Sequence, residues 1–503
     1  MRKYFLLILT FFIYTGAFAQ QKTGDYPKAD SVFIVNSVRF NITGFTRPYA
    51  LINKGEFVTG LEIAGISGLE KYIREKTQLL MNERVLDSVI INYDLGELRE
   101  DGKFPVDLVI DVKDTWNIVA IPRPKYSSNT GFDLTLKARD YNFLGTMSPL
   151  RLDMGFIHDE QGNNSYSFML DSNIPFRFLK LNWNFNFDNF FDYRPDLDQP
   201  FYYKNITGLS AELPVGFTVF TFGFDESLVL NEENDDIYKS LYGEFQDGLY
   251  MSSKPYISWE IPTGFQAGKW GELTYTPRIS AVFNHELQMP LDDHRKGPFL
   301  IIENYLGFNR VDWIGNFRKG GDVGVWNSYS HDFYKSGNGM QAWIIDLNFT
   351  GIGHFIITDF FGISARFNYR HKFFDDNGYA QAADVMRGIL DKEVNAEYML
   401  SLNLDFPVRL LKFKLSEWLN RPKLRIFNFE LHLSPVIDAA FYRASVNSNS
   451  DNPNNFIVSG GAEIVVFPEF FRSLYLRVSM GWNFTDFSNG RNNELYIGTD
   501  FHF

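Results

Sequence analysis

Between positions 397 and 407 apolar and polar residues alternate. Tyr398, Leu400, Leu402, Leu404 and Phe406 share one parity, and Glu397, Ser401, Asn403 and Asp405 share the other. Successive side chains of a strand point to opposite faces, so this stretch predicts a strand with one greasy and one wet face. The period returns over 178–189, where Leu179, Leu181, Trp183, Phe185 and Phe187 oppose Lys180, Asn182, Asn184, Asn186 and Asp188. It returns over 359–372, where Phe361, Ile363, Ala365, Phe367 and Tyr369 oppose Ser364, Arg366, Asn368 and Arg370. Stretches 149–158 and 424–442 also read as strands. Charged rows opposite aromatic rows invert the needs of a soluble core and fit a wall that is wet inside and lipid-facing outside.

The connections point the same way. Residues 142–149, 173–177 and 212–216 read as tight turns, whereas 192–202, 231–246, 374–395 and 447–455 are long and polar. Short turns on one side and long loops on the other belong to a transmembrane antiparallel β-barrel. The alternation counts to about 18 strands over 117–503, against the 16 implied by the family resemblance drawn below, the surplus lying between Tyr202 and Glu286.

Before residue 117 the pattern changes. Residues 32–42 and 89–93 read as strands, and Val106, Leu108, Ile110 and Val112 alternate as a third. Leu69, Tyr72, Ile73 and Leu80 fall on one helical face, with Glu70, Lys71, Arg74 and Glu75 outside it. The prediction is an α+β unit over 32–116, preceded by a flexible lead at 20–31. Residues 1–19 read as a secretory signal: Arg2 and Lys3, an apolar run from Tyr4 to Tyr14, then Ala17-Phe18-Ala19 as the cleavage site.

Composition narrows the address. Aromatics at 17%, with 51 Phe and 26 Tyr, suit the interfacial girdles of a barrel. The chain has no Cys, which removes a disulfide framework, thiolate metal sites and an acylated lipoprotein Cys. A net charge of -13 argues against nucleic acid as a partner. Catalytic signatures are missing too: there is no H-E-x-x-H, no G-x-S-x-G and no P-loop. Asp292-Asp293-His294 is adjacent in a loop and lacks an orienting partner for general-base work. No catalytic residue, metal or cofactor is expected.

Three stretches stand out. The long loop 374–395 carries Val385-Met386-Arg387-Gly388-Ile389 and leads into a strand ending Leu404-Asp405-Phe406-Pro407. Downstream, 428–442 places Asp438 on the polar parity within Ser434-Pro435-Val436-Ile437-Asp438-Ala439-Ala440-Phe441. The chain ends Tyr496-Ile497-Gly498-Thr499-Asp500-Phe501-His502-Phe503, with Leu495, Ile497, Thr499, Phe501 and Phe503 on the lipid parity. Pro122 and Pro124, two apart on the first barrel strand, leave one edge of it two amide donors short.

Together these stretches resemble the BamA/TamA-like outer-membrane assembly and surface-antigen family. The loop resembles that family's V-R-G-F loop, with Met386 and Ile389 in place of its Val and aromatic residue. The Asp438 strand resembles its F-x-D-x-G strand, with Ala440 for Gly, and Asp140 to Thr146 resembles its N-x-x-G-T turn. The α+β unit, through Leu80, Asn82 and Val89, resembles a POTRA domain.

The resemblance implies an outer-membrane barrel with one periplasmic POTRA domain. Its lumen loop would be fixed by Arg387, Gly388 and Asp438. Tyr496, Gly498, Phe501 and Phe503 would form the strand read by the assembly machinery, and the Pro122/Pro124 strand would flank a lateral gate. Implied partners are outer-membrane lipid, unfolded or partly folded polypeptide clients, and accessory periplasmic proteins or lipoproteins. The implied activity is insertion of barrel proteins or translocation of polypeptide. A passive channel or surface antigen of the same architecture, or a two-partner secretion pore, would read alike.

Overall fold

Helical and alternating apolar positions near the start of the chain converge on one core in the computed structural model. The structure describes residues 27, 30–127, 131–158, 162–197, 200–231, 248–268, 270–288, 290–291, 293, 295–373, 379–380, 385–389, 395–444, 454–485, 493–498 and 502. The N-terminal elements are β1 (Val32–Thr43), α1 (Pro48–Gly55), β2 (Glu62–Ala64), α2 (Gly65–Asn82), β3 (Leu86–Leu95) and β4 (Lys103–Asp114). The sheet runs β2-β1-β4-β3, with β1 and β4 parallel and the other pairs antiparallel. One face of β1 and β4, with Phe33, Val35, Val106, Leu108 and Ile110, buries Leu51 of α1 and Leu69 and Leu80 of α2. Pro48 sits in the first turn of α1, where its missing N–H has no intrahelical role.

From Ile118 onward the chain forms one closed antiparallel barrel of 18 wall strands, the last described one, Asn493–Gly498, lying beside the first, Ile118–Ser127. Sixteen is therefore not the strand number. Four of the strands, Phe201–Val215, Thr218–Leu230, Leu249–Gln266 and Glu272–Glu286, occupy the stretch that the sequence left ambiguous. One wall strand is broken at Phe406-Pro407 into Asn395–Asp405 and Val408–Phe413, both paired with Phe429–Ala444.

The faces follow the alternation. Ser401, Asn403 and Asp405 are buried while Leu400 and Leu402 are exposed to the outside. In Leu476–Asn483, Arg477 and Ser479 point in, and Leu476, Val478, Met480 and Trp482 point out. Three local expectations fail: residues 424–427 belong to the 3-10 segment Pro422–Phe427, the strand starting only at Phe429; residues 212–215 end strand Phe201–Val215 instead of turning; and one hairpin is displaced. Residues 173–177 lie inside strand Asn164–Phe178, and the turn comes at Leu179 and Lys180, both at positive φ.

The N-terminal domain caps one mouth of the barrel. Arg84 lies over the rings of Trp313 (4.3 Å) and Phe467 (5.6 Å) and donates to Asn316 Oδ1 at 3.0 Å. Arg472 Nη1 donates to the carbonyls of Leu86 and Asp87, at 2.9 and 3.1 Å. Arg425 Nη2 donates to Asp87 Oδ1 at 2.9 Å. Burial pushes the Asp87 carboxyl up, but hydrogen bonds from Arg425 and Lys113 more than offset it and hold it below its ordinary value.

Candidate functional site: a loop clasped inside the barrel

Three neighbouring strands supply a carboxylate each to one point of the inner wall. Asp405 lies near the break in its strand, Asn403 is in register with Asp438, and Ser434 of the same strand is in register with Glu463. Period-two alternation turns all three acids inward, where they would repel one another without a cation. Arg387 is that cation. Its Nε and Nη2 donate to Asp438 Oδ2 and Oδ1, at 2.9 and 2.6 Å, as a two-pronged fork. Nη1 donates to Asp405 Oδ1 at 2.6 Å and Glu463 Oε1 at 3.2 Å, and the Arg387 amide N–H adds a 2.9 Å bond to Asp438 Oδ2.

The site is buried: Arg387 is 4% exposed and Asp438 0%. A planar guanidinium matches two carboxylate oxygens at once and stays charged, which suits a buried polyacid site better than lysine. Val385, Met386 and Ile389, on either side, pack with Ala396, Met399, Ala440 and Ile457 in a small apolar cluster. The loop is thus held by an ionic centre inside an apolar collar.

Gly388 makes the approach possible. Its φ is +77°, and a Cβ there would stand 2.6 Å from the backbone of Gly481 and Trp482. Its N–H donates to Glu494 Oε2, on the last described strand, at 3.1 Å. A second arginine supports the loop from the other side. Arg366 donates through Nε to Asn403 Oδ1 and through Nη2 to Val385 O, at 2.9 and 2.8 Å, and through Nη1 to His502 O at 3.2 Å.

The clasp reaches the barrel's closing seam. Glu463 Oε1 also accepts from Arg477 Nη1 at 2.9 Å, and the Arg477 guanidinium lies 4.2 Å from the centre of the Tyr496 ring. Arg123, on the first strand, lies 4.5 Å from the same ring and donates through Nε to Ile497 O at 2.5 Å. The Tyr496 ring in turn lies over Gly498, where a Cβ would meet its hydroxyl at 2.1 Å. Phe501 and Phe503 lie outside the described residues.

Pro122 and Pro124 are opposite Leu136 and Leu134 in an unbroken ladder with Gly131–Asp140. One step before it the Tyr141 amide N–H donates to Asn117 O at 3.0 Å, so Asn117 and every second residue after it are the hydrogen-bonded positions of that ladder. The prolines fall on the alternate positions, whose backbone groups point to the opposite edge. The two missing donors therefore face the last strand.

No family model and no curated protein matches this sequence. In fold the chain is similar to BamA from Haemophilus ducreyi lacking POTRA domains 1–3, at 12% identity and a TM-score of 0.40, over 92% of this chain and 83% of that one. It is similar to CdiB from Acinetobacter baumannii at 11% identity and a TM-score of 0.42, over 90% and 70% of the two chains. CdiB from Escherichia coli gives 10% and 0.39, over 96% and 91%.

The structure thus brings Arg387, Gly388 and Asp438 together, and sets Tyr496 and Gly498 one relay away from them. Sequence reading did not single out Glu463, Arg477, Glu494, Arg123 or Asn403. For Glu463 and Arg477 the signal was present: each is the one charged residue of its strand. Glu494 and Arg123 act across the seam, which no local pattern specifies.

Proposed function

We propose that this chain is an outer-membrane protein of the BamA/TamA-like kind that inserts barrel proteins into the membrane or passes polypeptide across it. The observation that carries the reading is the buried loop 385–389, pinned by Arg387 to Asp438 and tied through Glu494 and Tyr496 to the strand at the seam.

In this reading the N-terminal domain is a POTRA domain in the periplasm that offers a free strand edge to extended clients. The wall opens between strands Ile118–Ser127 and Asn493–Gly498, because two prolines remove amide donors there. Each missing bond is worth about 1 kcal/mol net, and more where no water can substitute. The driving energy comes from folding the client and burying its lipid face, without nucleotide.

Depletion of the protein, followed by quantification of other outer-membrane barrels and of surface-exported polypeptides, tests the reading. Loss of either class supports it. Unchanged levels of both, together with solute conductance in planar bilayers, would establish a passive channel instead. Cysteines placed one on each seam strand should crosslink and block the activity; full activity in the crosslinked form rejects the gate.

A further inference from the structure

At the mouth where the N-terminal domain sits, most connections are short, but the one between Val408–Phe413 and Phe429–Ala444 is not. It is compact, with a single helical turn Leu415–Trp418 and a 3-10 segment Pro422–Phe427. Its base is fixed by Asn428, whose side chain accepts from the Ser416 amide N–H at 3.0 Å and donates to Ser416 Oγ at 2.7 Å and Glu469 Oε2 at 2.9 Å.

What it shows to the outside is unusual. Trp418 is 78% exposed, Leu410 and Phe427 57% each, and Leu411, Leu419 and Ile426 are also exposed. Leu410 and Leu411 are successive because the ladder shifts register between Arg409 and Leu411, which breaks the alternation. Leu410 and Leu411 lie on the continuation of the wall strand whose Leu400 and Leu402 are exposed, beside the strand that exposes Ile437 and Phe441.

Charge completes the picture. Residues 408–427 hold six basic side chains, Arg409, Lys412, Lys414, Arg421, Lys423 and Arg425, against the single acid Glu417, in a chain whose net charge is -13. Arg425 is engaged with Asp87 and Lys412 with Glu430, whereas Arg421 and Lys423 are exposed and make no ion pair among the described residues.

A Trp and Leu cluster beside unpaired cations, joined to a lipid-facing wall, is the arrangement of an interfacial segment on an anionic leaflet. We propose that residues 408–427 are a lipid-headgroup anchor: Trp418, Leu419 and Phe427 enter the leaflet on this side of the barrel, and Arg421 and Lys423 bind the phosphates of anionic glycerophospholipids. A protein partner would need complementary acidic and apolar surface, whereas the membrane is already in contact with the flanking strands. The inference uses the barrel's lipid-facing wall and not the insertase reading, so either can fail alone.

The test uses the full chain in nanodiscs of phosphatidylcholine with or without phosphatidylglycerol, either lipid carrying bromine near the glycerol end of its acyl chains. The difference in tryptophan quenching between the native protein and Trp418→Phe isolates the share of Trp418. Brominated phosphatidylglycerol should quench that share at least about fivefold more effectively than brominated phosphatidylcholine at equal mole fraction. Arg421→Gln with Lys423→Gln should bring the ratio to about one, with the barrel still migrating as folded on unboiled gels. Equal quenching by both lipids in the native protein overturns the headgroup assignment. Absence of quenching by either overturns the anchor and points to a protein or to water against Trp418.

Discussion

Arg387→Ala gives the sharpest test of the clasp. The substitution removes four guanidinium hydrogen bonds and leaves three inward carboxylates, Asp438, Asp405 and Glu463, sharing one site. Breaking a buried pair by deleting one partner costs about 3–5 kcal/mol, because the remaining charge is stranded. Arg477 still holds Glu463, and water can enter from the lumen, so the lower figure applies. About 3 kcal/mol corresponds to a rise of roughly 150-fold in the population of the released loop. The absence of native cysteine makes this measurable: Ile389→Cys places one thiol on the buried face of the loop, and a water-soluble maleimide reports its exposure. Labelling should accelerate about a hundredfold in Arg387→Ala, in proportion to the open population. Arg387→Lys should fall between, since an ammonium cannot span both Asp438 oxygens. Arg387→Ala combined with Asp438→Ala should label more slowly than Arg387→Ala alone, with a coupling of about 2 kcal/mol. Native-rate labelling in Arg387→Ala, or simple additivity in the double variant, would refute the reasoning.

Other perturbations separate the remaining contributions. Gly388→Ala meets both a positive φ and a backbone wall at 2.6 Å, whereas Gly481→Ala meets the Gly388 backbone at 2.7 Å from the other side. Both should raise Ile389→Cys labelling, Gly388→Ala more, by at least about 1 kcal/mol of extra backbone strain. Pro122→Ala with Pro124→Ala returns two donors to the seam edge and should slow amide exchange and crosslink-monitored opening there by about 1 kcal/mol per bond formed. Docking of the N-terminal domain should depend on Asp87: its pKa is depressed, so its contribution is complete above the ordinary carboxylate range and is lost as pH falls through the lowered value. Asp87→Asn should show the weakened state at neutral pH, read by proteolysis between the domain and the barrel, and be flat across that acid range.

How much of this could be read beforehand depends on whether the signal was periodic or spatial. The inward set Ser401, Asn403 and Asp405 is legible because lipid outside and water inside force opposite preferences on alternate residues. The Phe178 boundary is not legible, because a two-residue hairpin normally announces itself by Asn-Gly and here Leu179-Lys180 adopts the positive φ values instead. The strand number was open for a related reason: Pro214 lies within a wall strand, although residues 212–216 read as a tight turn. For the clasp, Arg387 and Asp438 stood out through family likeness. Glu463 and Glu494 join them only because the barrel brings residues 76 and 106 positions apart into one site.

The geometry also explains why the fastening is ionic. Apolar residues of equal volume would usually hold a buried loop at least as firmly as a salt bridge does. An ionic centre differs in that its strength depends on dryness: water admitted to the lumen wall re-solvates Arg387 and its acids and weakens every bond at once. The last strand is held from inside by Glu494 on Gly388 and by Tyr496 between Arg477 and Arg123, while its backbone ladder to the first strand lacks the two proline donors. Restraint at the seam has thus moved from the ladder to side chains. A ladder must be unzipped bond by bond, whereas the loop-to-seam bond from Gly388 N–H to Glu494 is lost when Arg387 leaves its acids, and the Arg123 and Arg477 contacts with Tyr496 then remain as the side-chain restraint on the edge where opening is proposed.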